Sequence, residues 1–283
     1  MIATASITIL DVNSPYIEGV TMQRVHALIV LLAAHSSVAS AVEPQPQMTT
    51  SQATLLSEDF AGDALPQSFR EPTSQAAFSV VDHAMQAVSR TGQGRATHGV
   101  FAVTDRDITI AFRVKFIEPG VLYIGVDGYN EMYQGNAHLV RFSLTPDRFA
   151  WDQKRGGPAS KRVVGEAMKA ARAAKKPLAA PTPEQLADPT FFRTEELAAT
   201  PLDCPVGQWH DVLLEINGNE LVAQVDGHAL LATATVADAQ KSRIGIGLTG
   251  RSTVLIDDFR VLANTRRDDW EQVKAKLVEH SKR

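Results

Sequence analysis

A handful of side chains in this sequence are of types that move protons or hold charge, and each stands on or beside a short apolar stretch. His98 lies in "ATHGVF", Tyr123 and Asp127 in "GVLYIGVDG", His138 and Arg141 in "AHLVRFSL", Asp152 and Lys154 in "RFAWDQKR", and Arg113 in "RDITIAFRVKF". Histidine exchanges a proton near neutral pH. Arginine and lysine balance an oxyanion, and a carboxylate orients a base or accepts a proton. His98, Arg141 and Asp152 are the candidate catalytic residues. Arg113, Tyr123, Asp127, His138 and Lys154 are the candidate ligand-binding residues. Each has a plainer role open to it as well: a strand histidine is often a satisfied structural group, an arginine a solvated charge, and Asp152 the start of a turn.

Missing motifs narrow the chemistry. No Glu-x-Asp-x-x-Glu stretch occurs, so one strand does not carry the paired carboxylates of a retaining glycosidase. A Gly-x-Ser-x-Gly elbow, a His-Glu-x-x-His helix, a phosphate-cradling glycine loop and a cysteine pair for zinc are absent too.

The elements that must position these residues are strands. In "RDITIAFRVKF", Ile108, Ile110, Phe112, Val114 and Phe116 share one face, and Arg113 and Lys115 the other. This period of two marks a half-buried strand. The same texture predicts strands over 55–60, 77–88, 98–103, 106–117, 120–127, 137–144, 147–152, 209–216, 219–226, 228–233, 242–248 and 252–262. Val140, Phe142 and Leu144 place Arg141 on the face away from the core. Strict alternation puts His138 on the core side, unless a bulge re-aims it. Trp151 and Trp209 fall within apolar alternations and are expected in the core. Asn217-Gly218 and Asp226-Gly227 are hairpin-turn dipeptides. Many short antiparallel strands of this kind build an all-β sandwich or jelly roll.

Two segments differ. Residues 158–200 open with an Ala- and Lys-rich, helix-prone run and read as an insertion between strands. It is either a solvated excursion or a rim beside a binding face. Residues 263–283 close the chain with a helix whose stripe is Trp270, Val273 and Leu277.

"SEDFAG", "HGVF", the hairpin "WHDVLLEINGNELVAQVDG", "RIGIGLTG" and "VLIDDFRVL" together resemble the concanavalin A-like jelly-roll domains of secreted bacterial proteins. More narrowly they are similar to the DUF1080 group, the 3-keto-disaccharide hydrolase domain, which is glycoside hydrolase family 16-like. The resemblance spans residues 55–262. It implies a carbohydrate or glycoside ligand, and a hydrolysis of keto-sugars by base-assisted elimination. In that route a base removes the hydrogen beside the ketone, a cation holds the enolate oxygen, and a donor protonates the departing oxygen. The missing carboxylate pair is not needed. The scaffold also carries lectins, so a noncatalytic glycan-binding module and a structural surface protein stay open.

The bulk numbers fit such partners. The chain has 283 residues, a formal net charge of −4 and a pI near 6.1. That balance gives no footprint for nucleic acid. From Met22, Arg24, the apolar run Ala27 to Ala34 and Ala39-Ser40-Ala41 have the form of a secretory signal peptide, so residues 1–41 are read as a leader and the protein as secreted or periplasmic. No membrane span is expected after cleavage. Residues 42–54 read as a linker. The single cysteine, Cys204, allows no internal disulfide. No cofactor motif is present. A divalent cation such as Ca²⁺ between Glu58-Asp59 and Asp257-Asp258 is the one metal option, against the alternative that one acid of each pair is solvated.

Overall fold

The computed structural model describes residues 44–71, 77–89, 97–131, 135–177 and 179–280. The leader-like residues 1–41 lie outside them. Among the described residues fifteen strands follow in chain order: β1 (Thr49–Glu58), β2 (Phe69–Arg70), β3 (Ala77–Val81), β4 (Ala84–Ser89), β5 (Thr97–Asp105), β6 (Ile108–Glu118), β7 (Val121–Asn130), β8 (Gly135–Thr145), β9 (Arg148–Arg155), β10 (Arg193–Pro201), β11 (Trp209–Asn217), β12 (Glu220–Val225), β13 (His228–Thr233), β14 (Lys241–Thr249) and β15 (Ser252–Arg266). Helices α1 (Pro158–Ala173) and α2 (Pro183–Ala187) lie between β9 and β10, and α3 (Trp270–His280) follows β15.

The strands form two antiparallel sheets. One is ordered β13-β12-β11-β6-β15-β4-β3, with β1 on the second half of β15. The other is ordered β10-β9-β8-β7-β14-β5-β2. Alternation decides what lies between them. Phe112, Val114, Phe116, Val212, Leu214 and Ile256 of the eight-stranded sheet meet Ile124, Phe142, Trp151, Ile244 and Ile246 of the seven-stranded one, all buried. Phe101 and Phe259 stack across the two layers with centroids 5.1 Å apart. Each such side chain contributes about 1.5–3 kcal/mol on full burial.

The outer face of the eight-stranded sheet is partly covered. Trp270 of α3 packs on Val222 and Met48, and its indole N–H donates to Glu220 at 2.8 Å. Glu215, fully buried on that face, accepts from the backbone N–H groups of Gln47, Met48 and Thr49 and from the Thr49 hydroxyl.

Several expectations are corrected. β1 starts at Thr49, inside the stretch read as linker. The segment 77–88 is not one strand but a hairpin, because Asp82 and His83 both take positive φ. Asn217 ends β11, and the two-residue turn is Gly218-Asn219, with positive φ at Gly218 alone. Asp226-Gly227 turns as expected, with positive φ at both. The stretch 158–200 contains an edge strand, β10, that its polar "RTEELAATP" disguised. Trp209 lies half-buried on the outer face of its sheet, beneath Arg113 and Lys115, rather than in the core.

Candidate functional site

The outer face of the seven-stranded sheet collects most of the candidate residues. Leu122, Ile124 and Val126 of β7 point into the core, so Tyr123, Gly125 and Asp127 face out. In β14, Ile244, Ile246 and Leu248 are buried, which turns Arg243, Gly245 and Gly247 outward. Phe101 and Val103 of β5 leave His98 on that side. Phe149 and Trp151 of β9 do the same for Asp152 and Lys154.

β8 needs a device, and it has one. Val140 pairs with Val126, but His138 pairs with Asp127, so Leu139 is an extra residue. Leu139 and Val140 are both buried. This bulge moves His138 from the core side to the face that carries Arg141.

Asp127 is the centre of the first cluster. It is only 1% exposed. His138 Nδ1 donates to its Oδ1, and Arg243 Nε donates to its Oδ2 at 2.5 Å. Burial pushes the carboxyl pKa up, but the two bonds and the two cations outweigh it and hold Asp127 below its ordinary value. The His138 and Arg243 side chains are 46% and 45% exposed, so their far ends face solvent.

His98 stands beside this cluster. A Cβ on Gly245 would lie 2.5 Å from its Nε2, so the ring rests against bare backbone. Gly245 pairs with Gly125, whose own Cβ position is 3.8 Å from His138 Nδ1. The two imidazoles therefore flank one glycine pair. Burial lowers the His98 pKa; Asp127 opposes this, while His138 and Arg243 add to it. His98 is thus neutral at neutral pH and able to accept a proton.

The second cluster adjoins the first along β8 and β9. Arg141 Nε donates to both Asp152 oxygens at 3.1 and 2.9 Å, and its NH2 lies 2.8 Å from Oδ2. Its guanidinium sits 4.2 Å from the centroid of the Tyr123 ring. Thr249 Oγ1 donates to the Tyr123 hydroxyl at 3.3 Å. Lys154 bonds Thr194, and burial followed by the nearby Arg141 lowers its pKa, with Asp152 opposing. His138, Arg141, Asp152 and Lys154 line a recess of about 30 Å³. That is room for about one water or one small polar group.

Arg113 is the candidate that the structure does not bring here. It lies on the outer face of the other sheet, 3.8 to 3.9 Å from Asp211, Asp257 and Asp258. Among the described residues, no group of three or more His, Cys, Asp or Glu is placed to hold a metal ion. Sequence reasoning passed over Arg243, Gly125 and Gly245. The signal was present in "RIGIGLTG", where Arg243 and Gly245 share the register opposite the isoleucines.

No protein-family model matches the chain, and no curated protein matches it. Solved structures do. A Bacillus subtilis protein of unknown function with a galectin-like fold aligns with a TM-score of 0.52 at 12% identity, over 78% of this chain and 100% of that one. The fold is a concanavalin A-like jelly roll. A non-specific endo-β-1,3(4)-glucanase from family GH16 aligns at TM-score 0.47 and 12% identity, over 81% of this chain and 98% of that one. A sialidase aligns at TM-score 0.47 and 10% identity over 79% of this chain, which spans only 19% of the sialidase.

Proposed function

We propose that this chain is a carbohydrate-active protein that cleaves 3-keto-glycosides by base-assisted elimination on the open face of the seven-stranded sheet. The observation that carries the reading is the pair of histidines in opposed settings around Gly125 and Gly245. His98 is held neutral by burial, and His138 is held by the ionised Asp127. A neutral imidazole beside a second imidazole anchored on a carboxylate offers one ligand both a base and a proton donor.

The roles follow from the geometry. His98 removes the proton from the carbon beside the ketone, and that C–H pair becomes the enolate. The half-exposed end of Arg243 balances the enolate oxygen. The enolate re-forms the ketone and a carbon–carbon double bond as it expels the glycosidic oxygen. His138, in the doubly protonated form that keeps Nδ1–H on Asp127, protonates that oxygen from Nε2. Water then adds across the double bond, and the sum is hydrolysis. Arg141, fixed by Asp152 and Tyr123, positions the sugar. In this reading the narrower relationship is to the DUF1080 hydrolases. The leader-like residues 1–41 support work outside the cytoplasm.

A glycan-binding module without turnover is the second reading. The mutual pairing of Arg141 with Asp152 over Tyr123 favours it, because a charge pair locked in this way suits a fixed recognition surface. Turnover of 3-keto-glycosides and their parent sugars by the wild type, His98→Ala and His138→Gln separates the two. Cleavage of the keto-sugars alone, lost in both variants, supports elimination. Saturable binding with no product supports the module.

A further inference from the structure

A groove of about 1010 Å³ runs between the end of β7, the paired ends of β9 and β10, and the segment 233–240 that follows β13. It is large for a small-molecule site, whose usual range is about 300–1,000 Å³. Lys154 lines both this groove and the recess at Arg141 and Asp152, so the two adjoin.

The walls carry charge, but the charge is balanced. Arg155 and the Gln153 amide both donate to Glu195, at 3.1 and 2.7 Å. Glu196 pairs with Arg148 and Asp238 with Arg106, each at 2.7 Å. Glu131 and Lys154 both belong to the lining. With Arg148 and Arg106 counted beside the lining, four acids face four bases, so an ionic ligand meets no net charge here. Fixed planar carboxylate and amide groups offer paired acceptors and donors to neighbouring hydroxyls. The Tyr129 ring, 52% exposed at the rim, offers an apolar plate with a polar edge. Hydroxyls around a ring with apolar C–H faces are the features of a neutral sugar.

We propose that this groove is a second carbohydrate site, which binds the continuing units of a neutral oligosaccharide whose terminal unit occupies the His98–His138 face. The link to that face rests on the carbohydrate reading given above. The groove's own preference for a neutral sugar chain does not need turnover.

The test is calorimetric titration of the full chain with neutral gluco-, galacto- and manno-oligosaccharides of two to six units, with oligogalacturonates of equal length as the anionic comparison. Affinity for at least one neutral series is expected to rise about tenfold or more from two to four units, as a further stacked and hydrogen-bonded ring would give. Tyr129→Ala should remove that gain and leave disaccharide affinity within about twofold. His138→Gln should keep the gain. Equal affinity at all lengths, binding of the anionic series alone, no binding in any series, or a length gain that survives Tyr129→Ala each overturns the proposal. Keto-glycoside turnover is read separately. Its absence beside an intact length gain refutes the elimination chemistry and leaves the groove assignment standing.

Discussion

Gly245→Ala is a one-methyl test of the site. The added Cβ would meet His98 Nε2 at 2.5 Å, with the ring carbons at 3.3 and 3.5 Å. Ordinary contact begins near 3.5 Å, so the imidazole must withdraw by about 1 Å. The backbone of β14 cannot give way easily, because Gly245 is paired with Gly125 on one side and Val100 on the other. The ring can move, since His98 is only partly buried. An off-rotamer side chain costs about 0.5–1.5 kcal/mol. Replacing a strand glycine returns about 0.5–1 kcal/mol, so the fold should be nearly unaffected. Catalysis should not be: a misplacement of about 1 Å costs about 100-fold, or near 2.7 kcal/mol in the barrier. Initial rates on a 3-keto-glycoside, beside thermal unfolding of the same samples, read both effects. Gly125→Ala is the control, because its Cβ would sit 3.8 to 3.9 Å from its neighbours and needs no movement. A Gly245→Ala protein with wild-type kcat/KM would refute the placement of His98 as the base. Equal losses in both glycine variants would refute the argument from the close approach.

The remaining predictions concern charge. His98 acts as a base only when neutral, and burial lowers its pKa, so the acidic limb of kcat/KM should fall at a pH below its ordinary 6.5; a limb above 6.5 assigns the base elsewhere. Arg243→Ala should lower kcat/KM by about 100-fold through loss of the enolate partner, while Arg113→Ala, on the other sheet, should stay within about twofold. His210 donates from both ring nitrogens, to Asp226 at 2.6 Å and to the Pro205 carbonyl at 3.2 Å, and the Asp226 bond first, then a bond to Cys204, raise its pKa to about 10. A raised folded pKa adds stability below the unfolded value of 6.5 and loses it as pH rises toward about 10. Urea unfolding at pH 6, 8 and 10 should show a decline of about 2–3 kcal/mol, which His210→Gln flattens.

The fold was legible because its core alternates. Ile108 to Phe116 and Val212 to Ile216 are period-two runs, and every apolar member in register is buried, although Thr109, Leu213 and Glu215 between them are buried as well. The edge strand β10 was not legible, because an edge strand with both faces half-wet has no apolar register to display. The Asp82-His83 turn was missed for a related reason: neither residue is glycine, yet both adopt positive φ. At the site, alternation placed Arg141 correctly but His138 only conditionally, since a one-residue bulge inverts every side chain beyond it. Arg113 looked equivalent to Arg141 in sequence. Alternation tells a face from its opposite; it does not tell one sheet from the other. That assignment comes from pairing across long separations, such as β6 with β11 and β15.

The position of β15 bears on how the molecule comes into being. β15, the last strand among the described residues, is an interior strand of its sheet, with β6 along one side and β4 and β1 sharing the other. Until its residues leave the ribosome, β1, β4 and β6 have no common neighbour, and the layer opposite the candidate site has a gap through its middle. Contacts this distant in sequence make closure slow. A nascent chain of this topology keeps that sheet open until β15 emerges, and any factor that meets it earlier meets unpaired strand edges.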